Sequence, residues 1–193
     1  GRTCDRVLER DIYIGHPVCI KRITGDGNCF YRAISYAISG TENNHTILRK
    51  ATVRYLLQTN DLFSNTLSYQ FASVREYVLR ERVMDNGTWA RDTDISAMAN
   101  LLDTDIYSYN DQVLRWQLFS AKKPGRINIV TTERGIYILY TQNVHFNIVE
   151  SVDTVNLNSV EETKINHRNS KTEKDVSSLS NLDMKVNSIK EIP

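Results

Sequence analysis

The chain has 193 residues, 40% hydrophobic and 24% charged, with a formal net charge of +1. That length supports one domain with a core and is short for two, and the near-neutral balance argues against a nucleic-acid or anionic-membrane partner. No apolar run approaches the roughly 18–20 residues that a membrane-spanning helix needs.

The start, GRTCDRVLER, has neither an initiator Met nor the apolar h-region of a signal peptide, so the chain reads as a fragment or processed piece, with 1–16 as a lead-in. PVCIKRI, Pro17 to Ile23, reads as a short strand. Phe30, Ala33, Ile34 and Ala37 follow i, i+3, i+4, i+7 and predict a helix from about Cys29 to Gly40. Ile47, Leu48, Ala51 and Tyr55 predict a second helix with Asn43 or Asn44 as N-cap. Phe71, Val74 and Val78 mark a third. Ile95, Met98, Ala99 and Leu102 mark a fourth, opened by Asp92 or Thr93.

Strand patterns follow. DIYSY and VLRWQLF flank an Asn110–Asp111 turn, and GIYILY and VHFNIV flank Gln142–Asn143, so two hairpins are predicted. Helices first and strands later give an α+β class, with helices packed on a small, mostly antiparallel sheet. All aromatic residues lie before residue 151, while 151–193 is dense in Ser, Asn, Lys and Glu. Such a segment buries too little apolar surface to offset its ordering entropy and is expected to be a disordered tail. The folded domain is then 17–150.

Three cysteines, Cys4, Cys19 and Cys29, form an odd set without regular spacing. This argues against a disulfide framework and for a reducing, intracellular setting, cytoplasmic or nuclear. His16 and Cys19 lie three apart, but no second pair with ligand spacing follows, so no metal site is expected.

The chemistry concentrates on GDGNCFYRAIS. A helix N-terminus lowers a thiol's pKa through its partial positive charge, so Cys29 is placed to act as a nucleophile. Gly27 permits a turn that aims successive N–H groups at one point, where an oxyanion would form, with Asn28 in the same loop. Taken locally, Cys29 reads rather as a buried thiol at an ordinary loop-to-helix junction, with Asp26 or Asn28 as cap. A base is needed. Of the four histidines, His145 lies in a late strand, where alternation puts His145 and Asn147 on one face, so Asn147 can steer the ring. Asp26 has two possible roles: steering the imidazole or bracing the loop.

In combination these stretches resemble the ovarian tumour (OTU) family of cysteine proteases. GDGNCFYRAIS is similar to that family's Asp-Gly-Asn-Cys signature, VHFN to its late His-aromatic-Asn/Asp motif, and GTWARDTDISAMANLLDTDIYSY to the Gly-x-Trp segment between them. The resemblance covers roughly Pro17 to Glu150. Ala90 stands where a second small residue, often Gly, is usual. The resemblance implies a papain-like OTU fold and hydrolysis of (iso)peptide bonds after the C-terminal Gly of ubiquitin or a ubiquitin-like modifier. It implies Cys29 as nucleophile, His145 as base, Asn147 as its orienting residue, Asp26 as the acidic residue of the loop, and Gly27 and Asn28 shaping the oxyanion site. No cofactor is expected, and the partners implied are ubiquitin-type conjugates engaged by a monomeric domain. Trp89, Asn143 and the loops Leu101–Asp105 and Tyr140–Val144 are candidates for a groove admitting an extended glycine-rich tail. The alternatives are a catalytically silent domain of the same type that binds ubiquitin or another partner, and a protease that processes a viral or mobile-element polyprotein.

Overall fold

The apolar spacing after Gly27 forms α1 (Cys29–Ser39), and Gly40 ends it in the left-handed region at φ +73°, its N–H bonded to the Tyr36 carbonyl. The computed structural model describes residues 14–121, 135–156 and 159–164, with side chains to Asp153. Within them α2 is His45–Gln58, α3 Asn60–Leu67, α4 Val74–Arg80 and α5 Asp92–Leu102. The strands are β1 (Pro17–Lys21), β2 (Asp105–Asn110), β3 (Arg115–Phe119), β4 (Gly135–Thr141), β5 (His145–Asn156) and β6 (Ser159–Lys164).

α1, α2 and α5 start as the spacing predicts, at Cys29, after Asn44 and at Asp92. α4 begins at Val74, capped by Ser73, whose hydroxyl accepts the Glu76 N–H. Phe71, read as part of the third helix, instead precedes α4 and packs against its Tyr77. The periodicity misses α3, an eight-residue helix whose buried side chains are Phe63 and Leu67, too few to register as a stripe.

The sheet runs β1-β5-β4-β2-β3, with β6 also on β5. Both predicted hairpins form, β2 with β3 and β4 with β5. They are joined by a parallel β2–β4 pairing, Ile106 opposite Ile136, which no local pattern announces. Ile148 pairs with Lys21 on one side and Ile138 on the other, so β5 is interior at that point.

Alternation divides the sheet. Ile106, Ile138, Phe146 and Ile148 face α1, α2 and α5 and join Phe30, Ile34, Leu48 and Met98 in the main core. Tyr107, Tyr109, Trp116, Tyr137 and Val149 form a second cluster on the other face. Each such buried Phe, Ile or Leu contributes on the order of 1.5–3 kcal/mol over leaving it exposed.

The composition break at residue 151 does not coincide with a structural one. β5 continues to Asn156, where Ser151 is opposite Cys19 and β6 pairs with it from Asn156 to Ser151. Backbone pairing supplies what the polar side chains do not. Residues 165–193, the rest of the expected tail, lie outside the described residues, as do 1–13 of the lead-in.

Candidate active site

Two backbone approaches build the site. Gly27 has φ +76°, and a Cβ there would fall 2.0 Å from the Gly87 carbonyl oxygen. The loop therefore needs glycine twice, for its dihedral and for contact with the 85–88 turn. Gly25 meets His145: a Cβ there would sit 3.6 Å from both Nδ1 and Cε1 of the ring. The loop before α1 is thus wedged between the Gly87 turn and the first residue of β5.

Cys29 opens α1 and is 4% exposed. Phe30 packs edge-on against Phe146 at 5.7 Å between ring centroids, which holds the helix start to β5. The thiol feels the backbone N–H groups of Phe146, Phe30 and Cys29 itself, all favouring the thiolate. Burial nevertheless outweighs them and pushes the thiol above its ordinary value, and the Asp26 charge adds to that. The expectation of a thiol lowered by the helix N-terminus is corrected here. The amides are in place, but desolvation dominates in the closed site.

His145 Nε2 lies 3.0 Å from Asn147 Oδ1, which also accepts the Ile23 N–H at 2.9 Å. A backbone N–H can only donate, so the atom it meets is the amide oxygen, not the nitrogen. That oxygen can only accept, so Nε2 carries the ring proton toward it. In the neutral ring the basic lone pair is then on Nδ1, the edge that faces the Gly25 loop. The strand alternation predicted from sequence places His145 and Asn147 together as expected.

Asp26 braces the loop. Its carboxylate accepts Arg32 Nη2 at 2.6 Å and Nε at 3.0 Å, and it takes the Asn28 N–H at 3.1 Å and Asn28 Nδ2 at 3.2 Å. The Arg32 hydrogen bonds hold this carboxyl far below the usual range despite partial burial. Of its two predicted roles, the bonding supports bracing. Asn28 occupies the N-cap position yet makes no cap bond. Its side-chain oxygen accepts Arg49 Nη2 at 2.8 Å and the Gly87 N–H at 2.8 Å. Arg49 was not singled out by sequence reasoning. Its position in ILRKA reads as the polar side of α2, and only its 3% exposure marks it.

A cleft of about 800 Å³ leads away from Phe146, lined by Tyr140, Trp89, Arg91, Phe71 and Tyr69 among others. Trp89 is 56% exposed, so it lines the cleft and is not core. Asn143 lies beside the cleft, not in it. It holds the β4–β5 turn, its Oδ1 accepting Asn110 Nδ2 at 3.2 Å and its carbonyl the Tyr140 hydroxyl at 2.6 Å. The loop Leu101–Asp105 does not line the cleft. It feeds the end of β2 where Asp105 pairs with Gly135, whereas His145 pairs with Thr141 at the opposite end. His16 Nδ1 is engaged by the Tyr109 hydroxyl at 2.7 Å, on the sheet face of Trp116 and Tyr137. Among the described residues no cluster of three His, Cys, Asp or Glu with metal-ligand geometry occurs.

A thiol at a helix N-terminus, and a histidine paired with an Asn at the start of a strand that packs on that helix, are the residue types that thiol hydrolases use. Residues 24–173 match the family profile described as OTU-like cysteine protease. The chain belongs to this family. It is 26% identical over 151 residues to the ovarian tumour domain-containing deubiquitinating enzyme 7 of Arabidopsis thaliana, covering 78% of this chain and 38% of that protein. To human OTU domain-containing protein 5 it is 27% identical over 140 residues, covering 67% and 22%. The chain thus spans well under two thirds of these relatives. The solved OTUD1 OTU domain superposes with a TM-score of 0.54 at 25% identity, over 67% of this chain and 83% of that one. The Hazara virus OTU bound to ubiquitin shares the fold, with a TM-score of 0.52 at 13% identity over 67% and 79%.

Proposed function

We propose that this domain is a thiol-dependent deubiquitinase that cleaves (iso)peptide bonds after the C-terminal Gly of ubiquitin or a ubiquitin-like modifier. The observation that carries the reading is the Ile23–Asn147–His145 chain of hydrogen bonds, which leaves the basic Nδ1 edge toward the loop that bears Cys29. Nδ1 takes the Cys29 proton, and the sulfur attacks the carbonyl carbon. The oxyanion meets the Cys29 N–H, already turned toward its own sulfur. The Asn28 N–H is committed to Asp26 and is not a donor for it. Protonated His145 passes its proton to the leaving lysine amine. Water then hydrolyses the thioester, with His145 again as base. The modifier's extended tail runs in the cleft along Trp89 and Tyr140, and an intracellular setting, cytoplasmic or nuclear, is part of the proposal.

The burial of Cys29 and its raised thiol pKa favour a second reading, a domain of the same fold that binds ubiquitin without cleaving it. A ubiquitin probe with a C-terminal electrophile separates the two. We expect covalent labelling at Cys29, lost in Cys29→Ala. Folded protein that binds ubiquitin but stays unlabelled supports the silent reading and overturns the protease one.

A further inference from the structure

Among the described residues the buried charged side chains are Arg49 and Asp94. Burying a cation is costly unless its donors are met, and a well-packed apolar residue fills such space more cheaply. Arg49 therefore earns its place by what it holds. Nη1 donates to the Val83 carbonyl at 2.9 Å, and Nη2 donates to the Thr88 carbonyl at 2.7 Å and to Asn28 Oδ1 at 2.8 Å. The guanidinium lies over the Tyr31 ring at 4.3 Å. One planar group thus ties α2 to both ends of the 83–88 turn and to the residue before Cys29.

The link to the loop runs through the Asn28 amide. Its oxygen faces two donors, Arg49 and the Gly87 N–H, while its nitrogen faces the Asp26 carboxylate at 3.2 Å. A flipped amide would set its nitrogen against both donors and its oxygen against a carboxylate. The guanidinium therefore fixes which way Asn28 points. Asn28 in turn holds the Gly87 turn against Gly27, the contact that leaves no room for a Cβ.

We infer that Arg49 is a positioning residue for the thiol-bearing loop: through Asn28 and the 83–88 turn it sets the backbone of residues 27–29, and with it the Cys29 N–H that would receive the oxyanion. This rests on the proposed role of Cys29. Lysine cannot substitute, because a single ammonium on a flexible stem cannot reach three oxygens in one plane and stack on a ring.

The test uses Arg49→Lys, Arg49→Met, Asn28→Ala and the Lys/Ala double variant, each checked for fold. Where one Arg49 variant does not hold its fold, the other carries the measurement. With a fluorogenic amide of the ubiquitin C-terminus, kcat should fall by roughly 30–100-fold, up to the low end of the ~10²–10³ that outright loss of an oxyanion donor costs, since the donor is displaced and not removed. KM should stay within about threefold, since the loop acts on the transition state. Alkylation of Cys29 by iodoacetamide, which forms no oxyanion, should change by no more than about threefold. The double variant should be no slower than Asn28→Ala alone, as expected for two residues acting through one path. Amide exchange at Gly87 should speed up by at least about tenfold while α5 stays protected. The inference is overturned by parental kcat in the Arg49 variants, by losses that multiply in the double variant, or by α5 exchanging as fast as Gly87. If the parent cleaves no ubiquitin substrate, the protease reading fails by itself, and exchange at Gly87 still decides whether Arg49 orders the loop.

Discussion

At Gly27 and Gly40 the backbone has nearly the same left-handed dihedral, φ +76° and +73°, but the surroundings differ. A Cβ at Gly40 meets nothing within 4 Å, whereas at Gly27 it strikes the Gly87 carbonyl. Gly40→Ala should therefore cost only the dihedral, about 1 kcal/mol, and Gly27→Ala at least about 3 kcal/mol. Urea unfolding of the two variants measures the difference, and equal costs would refute the close approach. Asn147 is the second residue with a double duty. Asn147→Ala leaves the buried Ile23 N–H without its acceptor, costing about 1–3 kcal/mol, and frees the His145 ring to turn. Hydrolysis should fall by at least about tenfold in kcat, while Asn147→Asp, which keeps both acceptor contacts, should retain most of it. Steady-state kinetics on a ubiquitin substrate decides this. The placement of Cys29 at a helix start and of His145 and Asn147 on one strand face was legible in the sequence, because helix onset and strand alternation are local. Arg49 was not, because nothing local distinguishes a buried arginine from a solvated one on the polar side of a helix.

The start of α5 shows how an element can carry a pH response. Asp94 accepts the Arg91 N–H at 2.9 Å and the Tyr77 hydroxyl at 2.9 Å, yet burial pushes its carboxyl up to about 6. The folded state therefore holds a proton that the unfolded chain, near 3.8, has released. Between about pH 4 and 6 the folded state binds more protons, so this contribution to stability falls as pH rises through that window and levels off above it, by up to about 3 kcal/mol. Asp94→Asn should flatten that decline in a series of melts from pH 4 to 7, and an unchanged profile would assign it to other groups. Asp26 acts in the opposite sense. Its depressed carboxyl favours the folded state above its unfolded value of 3.8, and that contribution is lost as pH falls below it. Helices with a full apolar stripe were readable from spacing. α3 was not, because Phe63 and Leu67 become a face only when Phe71 and Tyr77 pack opposite them.

Across the whole molecule, β5 is the strand on which the parts converge. Its first residue is His145, its middle is paired on both edges, and its later part reaches past the compositional end of the domain. Ser151 accepts the Cys19 N–H at 3.1 Å through its hydroxyl, and Val152 is buried with Tyr107 and Trp116. A chain ending at Glu150 should therefore be less stable than one ending at Lys164 by about 2–4 kcal/mol, from one hydrogen bond and one buried side chain. Calorimetry of the two truncations tests this, and equal melting temperatures would restore the compositional boundary. The α+β class, the helix that begins at Cys29, and the strand face shared by His145 and Asn147 were readable from residue order. These follow from periodicities of a few residues. Tertiary structure alone decided that β2 and β4 pair in parallel, that Asp26 is taken by Arg32, that Trp89 stands in an open cleft, and that Arg49 is buried against Asn28. It also decided the state of the Cys29 thiol. Desolvation and hydrogen bonding depend on what surrounds a group in space, and those neighbours come from distant parts of the chain.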